Sequence, residues 1–430
     1  MIGGIEGLSF ERRARLANGA SSYVVPFATC RPFNIVFHGT SRFDYGHFGI
    51  HLGQQDELTF LGPSNQQILA RFIDCRKGSK TFGLRHTMNI FPSSSTTLVI
   101  APGIAHAFDG LENVTTLNTY QTLLPDPRSW AEGVSRWNIN ADVLNIPMDV
   151  ADGDIPIVVA NSYEASDVYY GWVAEQQRSA FSQAASHDYP FTEDIKMLDG
   201  SSHRIEFTRR RLDSAVASAS EPNIGGIPGL DWRPRWFLPS GPASGFVPIP
   251  DERPFYVVDH GADEYSHDAF GIHSGQEDNL MFSGDPAHVT TGEFVDCREL
   301  SSAYGRRVTI AFNPSPTRML IIPPGVAHRF ERLERIFTIN VPRVFLAANS
   351  EYDSANDVID WPLEQPKTPS IHPNLLEADR TYYQNKAREQ QSAIESGAGL
   401  SATPVVLAVD SPRGPMRVAL RRRLEDAGVT

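Results

Sequence analysis

The chain of 430 residues is roughly three times as long as a domain of ~150 residues, so one to three domains are possible. Its 51 acidic residues outnumber 38 Lys and Arg residues and give a formal net charge of −13, which argues against nucleic acid or anionic lipid as a partner. At 41% hydrophobic residues, the composition is that of a folded protein. There is no apolar run of about 18 residues and no signal-peptide pattern, and three cysteines cannot build a disulfide framework. We therefore expect a cytoplasmic protein without a membrane partner.

Two copies of one pattern fill most of the chain, and over about ninety residues they match without a gap at an offset of 222 (273 − 51 = 222), which drifts beyond that stretch. At this offset Phe48-Gly49-Ile50-His51 recurs as Phe270-Gly271-Ile272-His273, and Ala105-His106 recurs as Ala327-His328. Self-similarity at a fixed spacing is the sequence signature of a repeated structural unit. The chain is therefore predicted to contain two modules of the same fold.

Each copy is predicted to be an all-β module followed by one helix. Short runs of β-branched and aromatic residues alternate with turn residues, as is typical of a sandwich or barrel. In the first copy these runs are Phe33–Phe37, Leu58–Leu61, Ile68–Ile73 and Leu98–Ile100. A helix is predicted from Asp167 to about Ala185, and its counterpart from about Leu376 to Ile394. A short strand with an arginine triplet is expected to close each copy.

The stretch 222–253 is rich in proline and glycine. Because these residues disfavour helices and central strands, the stretch is predicted to be an ordered connector. The expected domains are a first module at 1–221 and a second at 254–430, each with its appended helix.

Several motifs occur in the same order in both copies. The second copy contains Phe294-Val295-Asp296-Cys297-Arg298, then Ile322-Pro323-Pro324-Gly325-Val326-Ala327-His328-Arg329-Phe330, then Asp357-Val358-Ile359-Asp360-Trp361-Pro362. The first copy contains Ser79-Lys80-Thr81-Phe82-Gly83 and Ala101-Pro102-Gly103-Ile104-Ala105-His106-Ala107-Phe108. These motifs resemble those of the cupin family of dTDP-4-dehydrorhamnose 3,5-epimerases. The resemblance implies a bicupin, with two jelly-roll (double-stranded β-helix) barrels forming a pseudo-dimer within the chain and a further homodimer as an open alternative.

The resemblance also implies a catalytic centre in each barrel. The family abstracts a proton next to a ketone, which needs a base of near-neutral pKa and a donor for the enolate oxygen. The family's base matches His51 and His273, which end the repeated Phe-Gly-Ile-His motif. The histidine of the family's hairpin motif matches His106 and His328 and would bind or polarise the substrate. An orienting aspartate and a tyrosine acid are matched only to within one or two residues. The candidate catalytic residues are His51, His106, Tyr120, His273, His328 and Asp353.

Substrate-binding candidates occupy other positions that the family uses. Phe48 and Phe270 replace the family's arginine for the nucleotide diphosphate, and Asn118 and Asn340 stand where the tyrosine aligns best. Clustered guanidinium groups bind phosphates bidentately, so the arginine triplets around residues 210 and 422 are anion-binding candidates, although such runs more often pair with acidic residues. The full set is Phe48, Asn118, Arg210, Phe270, Asn340 and Arg422.

A metal site is the alternative use of the same histidines. His51, Glu57 and His106 approximate the spacing of ligands in metal cupins. The set is incomplete, because Asn279 replaces Glu57 in the second copy, although the acidic pair 277–278 is near. The sequence therefore favours a site without a metal or other cofactor.

The leading hypothesis is a metal-independent isomerase or epimerase that transfers a proton next to a carbonyl. Its substrate would be a small molecule, with a nucleotide sugar or another biosynthetic intermediate as candidates. A metal-dependent cupin oxygenase is the second hypothesis, and a non-catalytic ligand-binding or scaffold bicupin is the third.

Overall fold

The fold is described on a computed structural model of the chain. The residues described are 1–17, 22–125, 143–182, 191–196, 202–207, 216–217, 220–241, 244–347, 358–395, 405–411 and 414–420. In these ranges the secondary structure is mostly β-strand with two α-helices, and the predicted all-β class is confirmed. No helix in these ranges is both long and apolar enough to cross a membrane.

The strands and helices follow one another with short connections. In the first half of the chain they are β1 (Leu8–Arg12), β2 (Leu16–Ala17), β3 (Tyr23–Phe27), β4 (Phe33–His38), β5 (His47–His51), β6 (Gln54–Leu61), β7 (Ile68–Asp74), β8 (Arg85–Ile90), β9 (Thr96–Ile100), β10 (Ile104–Asp109), β11 (Val114–Asn118), β12 (Gln121–Leu124), β13 (Val143–Pro147), β14 (Tyr163–Glu164), α1 (Asp167–Ser182), β15 (Phe191–Lys196), β16 (Ser202–Phe207) and β17 (Val216–Ala217). In the second half they are β18 (Asp231–Pro234), β19 (Trp236–Gly241), β20 (Ser244–Ile249), β21 (Phe255–Asp259), β22 (Ala269–Ile272), β23 (Gln276–Ser283), β24 (Thr290–Asp296), β25 (Arg307–Phe312), β26 (Arg318–Ile322), β27 (Val326–Glu331), β28 (Phe337–Asn340), β29 (Arg343–Leu346), β30 (Ile359–Pro362), β31 (Leu376–Glu377), α2 (Arg380–Glu395), β32 (Val405–Ser411) and β33 (Gly414–Leu420).

The chain divides into two compact units, and their bounds differ from the predicted division. Unit 1 comprises Met1–Arg13, Arg31–Val216 and Trp236–Glu252, and unit 2 comprises Ala14–Cys30, Ala217–Arg235 and Arg253–Thr430. The stretch 222–253 is therefore not a separate connector. It contains β18, which pairs with β26 in unit 2, and β20, which pairs with β4 in unit 1.

Unit 1 is a barrel made of two facing sheets. The larger sheet follows the order β1-β9-β6-β11-β4-β20-β19-β17, and the smaller follows β13-β5-β10-β7-β8. Alternate residues of both sheets point inward and bury one core. Phe60 of the larger sheet packs on Phe108 of the smaller one, with ring centroids 5.4 Å apart, and Phe72 completes this aromatic group.

Unit 2 repeats this architecture. Its larger sheet follows the order β18-β26-β23-β28-β21-β3-β2, and its smaller sheet follows β25-β24-β27-β22-β30. Phe282 packs on Phe330 across the barrel, with ring centroids 5.4 Å apart. The two core phenylalanines lie 222 residues from their counterparts in unit 1, so the sequence repeat corresponds to a repeat of the barrel.

The appended helices pack on their own units through tyrosines. On α1, Tyr169 and Tyr170 join Tyr120 and Leu124 in a buried cluster, and the Tyr170 hydroxyl accepts the backbone N–H of Thr122 at 2.7 Å. On α2, the Tyr383 hydroxyl accepts the backbone N–H of Val344 at 2.8 Å. The predicted helices are thus present, although Leu376 and Glu377 form β31 rather than the start of α2.

A fragment cut at the predicted boundary, residues 254–430, is expected not to fold cooperatively. It lacks β3, which pairs along β21 and places Phe27 against Phe255 with ring centroids 4.5 Å apart. Removing a buried phenylalanine alone costs about 3 to 5 kcal/mol, which is a large part of the roughly 5 to 15 kcal/mol that stabilises a domain. Near-ultraviolet circular dichroism during heating, with the full chain as control, measures this. A sharp melting transition of the fragment would contradict the unit bounds.

Candidate functional site

In each barrel, two histidines and one aspartate meet between the sheets. His51 ends β5 and His106 lies on the neighbouring strand β10, so both belong to the smaller sheet. Asp56 lies on β6 of the larger sheet, on the same face as the core residues Leu58 and Phe60. The chain crosses from one sheet to the other between β5 and β6, and this crossing brings the carboxylate to the imidazoles. We call His51, Asp56 and His106 the first cluster.

The atoms of the first cluster converge on one point. His51 Nε2 lies 3.6 Å from Asp56 Oδ2, and His106 Nε2 lies 3.2 Å from the same oxygen. The two imidazole rings are 5.8 Å apart. The carboxylate side chain is 3% exposed, whereas the imidazoles are 15% and 11% exposed. The cluster is thus buried at its carboxylate and keeps a small exposed fraction at its imidazoles.

Unit 2 contains the same arrangement in His273, Asp278 and His328, which we call the second cluster. His273 Nε2 lies 3.5 Å and His328 Nε2 lies 3.3 Å from Asp278 Oδ2. The imidazole rings are again 5.8 Å apart, and their exposures are 11% and 14%. Both barrels therefore present one site of the same geometry.

Two amide side chains hold each carboxylate in place. In unit 1, Gln54 Nε2 and Asn118 Nδ2 both donate to Asp56 Oδ1, the latter at 2.7 Å. The Asn118 carbonyl oxygen accepts the backbone N–H of Glu57 at 3.1 Å, which fixes the orientation of that amide. These bonds satisfy Oδ1 and leave Oδ2 facing the imidazoles.

The amides of unit 2 repeat this pattern. Gln276 Nε2 donates to Asp278 Oδ1 at 2.6 Å, and Asn340 Nδ2 donates to it at 2.7 Å. Asn118 and Asn340 were predicted to bind substrate, and in the structure they bind the carboxylate of their cluster instead. Their strand positions face the barrel interior, where the nearest acceptor is the aspartate.

His106 and His328 each direct an unprotonated Nε2 toward the aspartate of their cluster. His106 Nδ1 lies 3.2 Å from the carbonyl oxygen of Ile104, and His328 Nδ1 lies 3.3 Å from that of Val326. A carbonyl oxygen only accepts, so Nδ1 carries the proton, and in a neutral imidazole Nε2 is then unprotonated. Burial lowers the pKa of His106, and burial lowers the pKa of His328 to about 4 despite the nearby Asp278 carboxylate. At neutral pH both imidazoles are therefore neutral.

His51 and His273 also direct an unprotonated nitrogen into their clusters. Gln54 Nε2 lies 3.3 Å from His51 Nε2, and Gln276 Nε2 lies 3.3 Å from His273 Nε2. Because an amide nitrogen only donates, each Nε2 acts as acceptor. Two imidazole lone pairs and one carboxylate oxygen thus face each other in each cluster, and an arrangement of this kind attracts a cation.

A buried amide oxygen in each barrel has no hydrogen-bond partner among the described residues. These atoms are Oε1 of Gln54 and Oε1 of Gln276, on side chains that are 5% and 2% exposed. A buried acceptor without a partner is costly, and such atoms commonly bind a ligand, ion or water. They recur next to both clusters, so each barrel offers the same free acceptor to a ligand or water there.

The clusters match the donor set and spacing of a transition-metal site. The three ligand atoms in each cluster all lie within 4.8 Å of one another. Donors at about 2.1 Å from an ion are separated by about 3.0 Å in octahedral and about 3.4 Å in tetrahedral coordination, and the His–Asp separations of 3.2–3.6 Å are close to these values. Two neutral imidazoles and one carboxylate suit zinc, iron or manganese. The residues therefore fit a divalent transition metal ion.

Several predicted site residues lie elsewhere. Phe48 and Phe270 sit three residues before the cluster histidines, and strand alternation turns them to the opposite face, where they pack in apolar clusters. Tyr120 is fully buried under α1 among Tyr169 and Tyr170, since it follows the end of β11. The structure therefore does not support substrate contacts by the phenylalanines or an acid role for Tyr120. Asp353, Arg210 and Arg422 lie outside the described residues.

Glu57 was predicted as the carboxylate beside the histidines, but the structure places Asp56 there. Glu57 points to the other face of β6, where it pairs with Arg31 at 3.5 Å and accepts the Thr119 hydroxyl at 3.1 Å. The repeat offset contains the missing signal, because it carries Gln54 to Gln276 and Asp56 to Asp278 but Glu57 to an asparagine. Residues identical in both copies and spaced by two share one strand face.

No protein-family model and no curated protein matches the chain. Among solved structures, the Mycobacterium tuberculosis rmlC epimerase is similar at 15% identity over 41% of this chain and 89% of that chain, with a TM-score of 0.25. Hazelnut (Corylus avellana) vicilin is similar at 10% identity over 91% and 95%, with a TM-score of 0.25. The Lactobacillus farciminis oxalate decarboxylase formate complex is similar at 8% identity over 78% and 86%, with a TM-score of 0.21. These likenesses all have TM-scores below 0.5 and add nothing to the fold, which the strand order itself establishes as two repeated all-β barrels.

Proposed function

We propose that the chain is a metal-dependent bicupin enzyme that binds one divalent transition metal ion in each barrel. The observation that carries this proposal is the convergence of two unprotonated imidazole nitrogens and one carboxylate oxygen in both clusters. Without a cation, His106 Nε2 would place a lone pair 3.2 Å from Asp56 Oδ2. Protonation of the imidazole would relieve that repulsion, but burial lowers the pKa of His106 and disfavours it.

The donor set favours iron(II). Two histidines and one carboxylate with open positions form the facial triad of non-haem iron oxygenases, in which the bound ion activates oxygen beside the substrate. The residues of this chain supply the ligands, hold the Nδ1 protons of His106 and His328 on backbone carbonyls, and orient the carboxylates through amide donors. Such fixed outer contacts set ring orientation and ligand basicity. We therefore infer an oxygenase-type reaction on a small molecule that enters beside the imidazoles.

Metal-free proton transfer is the second candidate function. It would require the other tautomer of His51, with the proton on the nitrogen that faces Asp56, and it is supported by the sequence resemblance to sugar-nucleotide epimerases. A nucleotide sugar is the substrate class that this candidate would take. The tyrosine expected to act as its acid, Tyr120, instead lies under α1.

Metal analysis combined with two activity measurements discriminates the candidates. Protein purified without chelators and reconstituted anaerobically with iron(II) should retain about two ions per chain after desalting, and exposure to oxygen should oxidise the ion. Retention of no ion by a folded chain, together with deuterium uptake from solvent into a nucleotide-linked keto sugar by the metal-free protein, would overturn the oxygenase proposal and favour proton transfer.

A further inference from the structure

A tyrosine contacts the amides of the second cluster and has no phenol counterpart in the first. Tyr256, on β21, places its hydroxyl oxygen 2.9 Å from Gln276 Nε2 and 2.7 Å from Asn340 Nδ2. The same two nitrogens donate to Asp278 Oδ1. In unit 1 the corresponding position holds Asn34 (256 − 222 = 34), so the first cluster has no phenol there.

The phenol adds a further acceptor to both amides that hold the carboxylate. Each amide NH₂ group has two hydrogens. In unit 2, Asn340 directs one hydrogen to Asp278 Oδ1 and the other to the Tyr256 oxygen, whereas Gln276 Nε2 shares its two hydrogens among Asp278 Oδ1, the Tyr256 oxygen and His273 Nε2. Two oxygen atoms are thus bridged by two amides, which restricts rotation of both amides and of the carboxylate they hold.

We propose that Tyr256 is a positioning residue that makes the second site bind its metal ion more tightly than the first. This inference rests on the proposed metal-binding function. Because Tyr256 fixes the amides, Asp278 presents Oδ2 to the histidines in one orientation. Outer contacts to metal ligands typically change metal affinity by about 10- to 100-fold. The two barrels are therefore not equivalent, although their ligands are.

Cobalt(II) is a suitable probe, because its visible absorption reports ligand geometry. Asp56→Asn leaves only the second cluster, and Asp278→Asn leaves only the first, so each dissociation constant can be measured alone. The second cluster is expected to bind cobalt(II) about tenfold more tightly. Tyr256→Phe in the Asp56→Asn chain should weaken binding about tenfold and shift the absorption spectrum, whereas in the Asp278→Asn chain it should change neither.

Tyr265→Phe is the matched control, because it removes a phenol hydroxyl from the same unit beside His260 and away from the cluster. It should leave cobalt(II) binding unchanged, and thermal unfolding confirms that all variants are folded. Cobalt(II) affinity and spectrum that Tyr256→Phe leaves unaltered would overturn the positioning role. A wild-type chain that binds no cobalt(II) would instead contradict the proposed function and would overturn this inference with it.

Discussion

Asp56→Asn is expected to reduce the metal content from about two ions per chain to about one, and Asp278→Asn should do the same for the second barrel. Asparagine keeps the shape of the side chain but removes the negative charge and the only anionic donor of the cluster. Loss of one ligand of three, with its charge, should weaken binding by at least about 100-fold, because even contacts to the ligands change affinity by about 10- to 100-fold. Elemental analysis after desalting measures this directly.

The adjacent carboxylates provide controls on the same strands. Glu57→Gln changes a residue next to Asp56 that binds Arg31 and Thr119 on the other face of β6. Glu277→Gln changes the neighbour of Asp278, whose carboxylate pairs with Arg343 at 3.2 Å. Both variants should retain two ions. If they lose metal as readily as the aspartate variants do, the assignment of the ligands is wrong.

Asp74→Asn is expected to destabilise unit 1 by about 3 to 5 kcal/mol, the usual cost of breaking a buried ion pair from one side. The Asp74 side chain is fully buried and binds Arg76 at 2.9 and 2.7 Å and the Ser79 hydroxyl at 2.6 Å. Arg76 also donates to the backbone carbonyl of Glu6. The substitution leaves the guanidinium without its counter-charge. Calorimetry should show a lower unfolding temperature for the affected unit.

Stability should depend on pH through the same carboxyl. Burial alone would raise the pKa of Asp74, but the hydrogen bonds from Arg76, Ser79 and Thr81 outweigh burial and lower the pKa from 3.8 to about 2. The folded-state pKa lies below the unfolded value, so this stabilisation is complete above about pH 4 and is lost as the pH falls toward about 2. It amounts to about 2 kcal/mol.

The exposed Asp152 is the control for this prediction. It pairs with Arg85 at 3.1 Å, and its side chain is 88% exposed. A surface pair of this kind contributes about 0 to 1 kcal/mol, so Asp152→Asn should change the unfolding temperature little. Equal effects of the two substitutions would show that Asp74 does not stabilise the barrel as described.

The barrel and its duplication could be predicted because both depend on local patterns. Strand alternation and turn residues repeat in both copies, and the hairpin motif fixed His106 and His328 at corresponding positions. The unit bounds could not be predicted in the same way. Pairing of β3 with β21 joins residues that are more than 200 positions apart, and nothing in the local sequence of Tyr23–Phe27 distinguishes this pairing from one within its own copy.

The four histidines of the two clusters were predicted as site residues, but the aspartates Asp56 and Asp278 were not. Spacing alone did not distinguish Asp56 from Glu57, since the turn between β5 and β6 determines which residue faces the barrel. Phe48 lies three residues before His51 on β5, so it packs in an apolar cluster on the opposite face of the sheet from His51. The resemblance did not reveal this difference in orientation. Tyr256 carried no sequence signal, because its role depends on amides from β23 and β28 that meet only in the folded unit.

A crystal structure of the iron-reconstituted protein, with anomalous diffraction recorded at the iron absorption edge, tests the central claim most directly. One anomalous peak is expected in each barrel, about 2.0 to 2.2 Å from both histidine Nε2 atoms and from the aspartate Oδ2. Well-ordered clusters without such a peak, in which a protonated imidazole instead bonds directly to the carboxylate, would contradict it.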